Sequence, residues 1–187
     1  RESNNLKTTM DKSGKLTVSL SPDLRYVTDR LYRNDNGKFK DITEKSGILN
    51  EAFGLSAIIA DFNDDLLPDI YVCNDYVKPD YLYINNGNGT FTDRFDDYFR
   101  HTSFSSMGSD YADINNDGCF DLMTLDMFPE DNYRQKMHGT EYNYDKFLAT
   151  KKLGFATQFI KNTLQLNNCD GSYSDIAMMA DVAHTDW

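Results

Sequence analysis

The 187-residue sequence predicts an all-β fold, a partial β-propeller of four-stranded antiparallel blades with cation-binding loops and one partly helical insertion. Three observations lead there. An acidic nine-residue loop occurs twice, with Asp113 following Asp61 by 52 residues. A Gly/Asn/Asp hairpin occurs three times, interleaved with those loops in fixed order. The runs between them are short, β-branched or aromatic, and therefore strand-like.

The loops are Asp61-Phe-Asn63-Asp-Asp65-Leu-Leu-Pro-Asp69 and Asp113-Ile-Asn115-Asn-Asp117-Gly-Cys-Phe-Asp121. Oxygen-bearing side chains stand at positions 1, 3, 5 and 9 of each. Hard cations such as Ca2+ take about six to eight oxygen ligands, so this alternation supplies most of a coordination shell. The expected ligands of the first site are Asp61, Asn63, Asp65 and Asp69 with the backbone carbonyl of Leu67. Those of the second are Asp113, Asn115, Asp117 and Asp121 with the carbonyl of Cys119. Asp64 and Asn116 alternate away from the ion. An EF-hand is excluded, because it needs a bidentate Glu at position 12 and flanking helices. Val72 and Thr124 stand at that position, and Leu55–Ala60 and Asp69–Cys73 read as strands. Leu66 replaces the glycine that the second loop has at Gly118. A turn requiring positive φ disfavours a residue with a Cβ, so the first site is expected to bind more weakly.

The hairpins are Leu31–Phe39, Leu82–Phe91 and Leu164–Tyr173, each with an aromatic two residues after its last glycine. One unit then reads as strands at Leu55–Ala60, Ile70–Cys73, Tyr81–Ile84 and Thr90–Asp93. The next reads as Met107–Ala112, Leu122–Asp126, Thr163–Leu166 and Ser172–Ile176. This divides the chain into an N-terminal segment, 1–29, with a possible strand at Lys15–Leu20, and a half blade with its connection, 30–54. Two blades follow, 55–106 and 107–180, and then the start of another, 181–187. Two blades with fragments do not close a ring, so the chain is expected to be part of a larger protein. Residues 127–161 are an insertion in the second blade. Its stretch Asn143–Gly154 reads as a short helix, with Tyr144, Phe147, Leu148 and Leu153 on the packed side. Tyr133, Tyr142, Phe155 and Phe159 make the insertion aromatic, which suits either a recognition surface or a lid over its own blade.

The acidic loop followed by a strand and the turn Asn85-Asn-Gly-Asn-Gly-Thr-Phe91 resembles the FG-GAP/VCBS-type repeat, the blade of integrin alpha-subunit heads and of many bacterial surface proteins. The resemblance covers roughly residues 30–187. It implies a calcium-bearing propeller, usually of seven blades, on a bacterial surface or secreted. It also implies a module that binds a protein or glycan or acts as a scaffold. Some calcium-bearing propellers of related appearance cleave polysaccharides or phosphoesters, which is the alternative.

A net charge of −11 and a pI near 4.6 argue against nucleic acid and anionic membranes as partners. No run of about 18 apolar residues is present to cross a membrane as a helix. Cys73, Cys119 and Cys169 show no obvious disulfide pair and no metal-ligand spacing, leaving calcium as the better indicator of an extracellular location. His101, His138 and His184 are scattered, and Asp96-Asp97 and Glu130-Asp131 are adjacent pairs suited to solvent. With no phosphate loop or nucleophile elbow either, catalysis within this segment is not expected.

Overall fold

The computed structural model describes residues 7–10, 16–19, 28–76, 78–138 and 144–185. A first hairpin pairs β1 (Lys7–Met10) with β2 (Leu16–Ser19), and a second pairs β3 (Tyr32–Asp35) with β4 (Lys38–Asp41). The short helix α1 (Thr43–Ser46) ends at Gly47, whose φ of 81° lets the chain reverse. The first full sheet follows in the order β5 (Phe53–Ala60), β6 (Asp69–Asp75), β7 (Tyr81–Asn85) and β8 (Phe91–Asp93), all antiparallel. Helix α2 (Phe95–Tyr98) and β9 (His101–Ser103) lead to β10 (Gly108–Ala112) and β11 (Asp121–Leu125). The insertion contributes α3 (Asn132–His138), α4 (Tyr144–Lys152) and β12 (Thr157–Phe159). It ends at β13 (Thr163–Asn167) and β14 (Tyr173–Asp175), completing a second sheet in the order β10, β11, β13, β14.

The two sheets cover the strands expected from the sequence, with ends shifted by one or two residues. Strand β1, the three-residue strands β9 and β12 and the short helices α1, α2 and α3 were not anticipated. Such elements are too short to show a periodicity. Strands β9 and β12 pair in parallel, His101 opposite Thr157, and so tie the insertion to the connection between the sheets.

The pleat divides β6 between two cores. Ile70 and Val72 join Ile48 and Tyr83 on one face, with Leu31 of the half blade packed against them. Tyr71 and Cys73 face the other way and join Leu82, Phe62, Phe95, Phe99, Leu122 and Tyr173. This second cluster lies between the sheets; the Phe99 and Tyr173 rings are 4.6 Å apart. Because β6 is buried on both faces, its side chains need not alternate in polarity. Where β5 meets β10, the Ser56 and Ser109 hydroxyls are 3.1 Å apart.

A polar tie repeats with the units. Asn50 Nδ2 donates to Asp29 Oδ2 at 2.9 Å, Ser106 Oγ to Asp80 Oδ2 at 2.8 Å, and Thr185 Oγ1 to Asn162 Oδ1 at 2.7 Å. In each case the acceptor lies at the entry to a unit's third strand, and the donor 21, 26 or 23 residues later. The insertion lengthens the path from β11 to β13 and leaves this tie intact.

Helix α4 departs from expectation at one residue. Tyr144 is 72% exposed, while Phe147, Leu148 and Leu153 are half-buried. At the first residue of the helix Tyr144 has no preceding turn to pack on. Tyr142 lies outside the described residues.

Candidate metal-binding loops

Each acidic loop joins the first two strands of a sheet, between the ladder pairs Ala60–Asp69 and Ala112–Asp121. The two loops share five hydrogen bonds, and the first adds one from the Asn63 N–H to Asp61 Oδ1 at 3.3 Å. Asp61 Oδ1 accepts the N–H of Asp65 at 3.2 Å and Asp61 Oδ2 that of Leu66 at 2.7 Å. Asp113 accepts from Asp117 at 3.1 Å and Gly118 at 3.0 Å. Asn63 and Asn115 each accept a backbone N–H two residues on and donate Nδ2 to Asp65 and Asp117. Asp65 and Asp117 accept the N–H of Leu67 and Cys119, both at 2.8 Å.

These loops need two left-handed residues apiece. Asp64 and Leu66 have φ of 59° and 67°, Asn116 and Gly118 of 61° and 91°. The sequence marked the second of each pair. The first was missed because Asp and Asn tolerate this region without a glycine signal. Leu66 is 91% exposed, so no packing offsets its strain. Asp64 and Asn116 are exposed, on the solvent side as expected.

Position 9 behaves differently. Asp69 and Asp121 are fully buried. Asp69 Oδ2 accepts the Phe62 N–H and Oδ1 the Asn85 N–H, at 2.9 and 2.8 Å. Asp121 takes Ile114 and Asn167 at 3.0 and 2.8 Å. The ninth residue thus pins its loop to the hairpin between the third and fourth strands. Burial raises the Asp69 carboxyl above the ordinary carboxylate range, its two N–H partners oppose this, and Asp65 and Asp61 add to the rise. A cation would offset that clustered negative charge.

The donor set of each loop is three carboxylates, one amide oxygen and the position-7 carbonyl, an all-oxygen set suited to a hard cation. Each carboxylate oxygen has two acceptor sites, so an N–H bond leaves it able to take an ion as well. Among the described residues, the one trio of His, Cys, Asp or Glu ligand atoms within 4.8 Å of one another is Asp117, Cys119 and Cys169. The loop carboxylates form no such trio, so closing on an ion requires them to turn inward from the positions they occupy.

Cys119 and Cys169 form a disulfide, Cα to Cα 5.8 Å across 50 residues of sequence. The sequence offered no obvious pair; the structure supplies one. The loop and the hairpin tip, remote in sequence, share one end of the second sheet. With both sulfurs committed to that bond, the trio is not a thiolate metal site. Cys73 is free and buried.

Other polar clusters serve the sheets. Asp175 Oδ2 accepts His101 Nε2 at 2.8 Å and also pairs with Lys161, while Oδ1 takes the N–H of Leu164 and Ala177. Asp93 holds the matching place in the first sheet, accepting from Leu82 and Phe95. The His184 ring stacks on Phe128 at 5.3 Å.

Residues 61–124 match the FG-GAP-like repeat, a span that runs from the first residue of the first loop into β11. No curated protein matches the chain at a significant level. The fold, all-β with two antiparallel four-stranded sheets, is consistent with that repeat.

Proposed function

We propose that the chain is a calcium-stabilised, extracellular β-propeller segment that acts as a protein- or glycan-binding or scaffold module. The observation that carries this reading is the agreement of the two acidic loops in five hydrogen bonds around the same oxygen-only donor set. Asp61, Asn63, Asp65, Asp69 and the Leu67 carbonyl hold one ion; Asp113, Asn115, Asp117, Asp121 and the Cys119 carbonyl hold the other. The ion is structural: it neutralises clustered carboxylates and fastens the first two strands of a blade. The Cys119–Cys169 bond supports an oxidising compartment, where millimolar calcium fills sites of modest affinity. The insertion supports a binding role by exposing Tyr133, Met137 and Tyr144.

Thermal unfolding with EDTA and with millimolar calcium tests the reading. An ion bound only by the folded state at a hundred times its Kd stabilises by about 2.7 kcal/mol. Calcium is therefore expected to raise Tm by several degrees. Asp117→Ala lowers Tm more in calcium than in EDTA, where only its hydrogen bonds to Cys119 and Asn115 are lost. Equal loss in both conditions makes the loops plain turns and ends the calcium assignment.

A further inference from the structure

We propose that the hairpin β1–β2 docks in the groove beside β5, as the first two strands of the unit whose third and fourth strands are β3 and β4. The groove has a volume of about 380 Å3 and is lined by Leu31, Ile48, Leu55, Ala57, Ile59 and Ile70, among others. It lies on the face of the first sheet that the half blade only partly covers. Phe53, Leu55 and Ile59 of β5 are left 49%, 48% and 62% exposed.

The repeat states what belongs there. On its other side β5 meets β10, the first strand of the following sheet, through Ser56 and Ser109. The equivalent neighbour here is the first strand of the preceding unit. The chain supplies a hairpin at the matching place in its order: an antiparallel pair, Lys7 opposite Ser19 and Met10 opposite Leu16, ahead of β3. Five residues of sequence separate β1 from β2, against the eight of residues 61–68 and 113–120, which hold the acidic loops. Leu16, Val18 and Leu20 alternate with Thr17 and Ser19, the pattern of a strand with one apolar face. Twelve residues separate Ser19 from Tyr32, enough to span about 40 Å when extended. The groove reaches Leu31 at the start of β3, so the hairpin reaches it without strain. Docking covers the apolar side chains of Phe53, Leu55 and Ile59, an exposed patch otherwise prone to association. The unit has no acidic loop, and the proposal holds whether or not the other loops take an ion.

The test is a double-substitution cycle in the full chain, melted in EDTA so that calcium plays no part. Ile59→Asp puts a charge in the groove, and Thr17→Pro breaks the β1–β2 ladder opposite Thr9. Each is expected to lower Tm by about 5 °C or more. The double variant melts no lower than the worse single one, because both undo the same contact. Ile59→Leu keeps the native Tm. Hydrogen exchange reads the docking directly: Thr17→Pro exposes the amides of Phe53–Ala60 and leaves those of β11 protected. An Ile59→Asp chain melting within a degree of the native one overturns the proposal. So do losses that simply add, or a loss at Ile59 that depends on protein concentration, which would assign the groove to a second copy of the chain.

Discussion

The Leu67 side chain rests over Gly87 at the point where, one unit later, Cys119 is bonded to Cys169. A Cβ built on Gly87 would lie 3.3 Å from Leu67 Cδ1. Both pairs join position 7 of an acidic loop to the third residue of the hairpin turn that begins Asn85-Asn86 or Asn167-Asn168. Gly87 has φ of 73° and Cys169 of 57°, so the second unit shows that cysteine adopts the conformation the first requires.

Leu67→Cys with Gly87→Cys is therefore expected to form a second disulfide. Loop closure over about 20 residues stabilises by about 3 kcal/mol, and a left-handed cysteine costs about 1 kcal/mol of that. Thiol titration after oxidation, together with a higher Tm that reductant abolishes, checks it. The native bond spans 50 residues, and Cys119→Ser with Cys169→Ser is expected to cost about 4 kcal/mol.

Leu66 is the strained residue of the first loop, exposed and at φ 67°. Leu66→Gly relieves about 1–2 kcal/mol of backbone strain against a smaller gain in unfolded-chain entropy. The variant is expected to be about 1 kcal/mol more stable in denaturant titrations with EDTA. Under the proposed calcium reading, a larger gain is expected in calcium, because the loop then matches its partner.

Asp80 is buried between the units, accepting the Asn74 N–H at 2.9 Å, the Tyr71 hydroxyl at 2.7 Å and the Ser106 hydroxyl at 2.8 Å. Burial pushes its carboxyl up to about 7 despite those bonds, and Asp126 adds to the rise. Asp126 itself is pushed up to about 6 by burial, against the backbone N–H groups of Ser105, Met127 and Phe104. Between pH 4 and 7 the folded chain holds protons that the unfolded chain has released, so stability falls as pH rises through that window. For Asp80 alone the loss is on the order of 4 kcal/mol.

Asp80→Asn copies Asn162, the residue at the same point of the second unit. It is expected to flatten the pH profile and to exceed the native protein in stability at pH 8, with little difference at pH 5. Urea unfolding at the two pH values checks this. Asp175 acts in the opposite sense. Burial would raise its carboxyl, but His101 and Lys161 outweigh that and hold it well below the usual range. Its contribution is present above the ordinary carboxylate range and is lost progressively as pH falls below about 4.

The repeat was legible in residue order alone: the strands of both sheets, the loop oxygens at positions 1, 3, 5 and 9, and the left-handed turn that strains Leu66. These are local properties, set by side-chain alternation and by which φ a residue tolerates within a few positions. The rest depends on contacts between segments distant in the chain. The Cys119–Cys169 bond, the burial of Asp69 and Asp121 against the hairpins, and the ties Asp29–Asn50, Asp80–Ser106 and Asn162–Thr185 all join residues the chain keeps apart. Periodicity carries no record of such meetings. Cys119 and Cys169 looked unrelated because their partnership exists only once β11 and β13 pair and bring a loop and a hairpin tip to one end of a sheet.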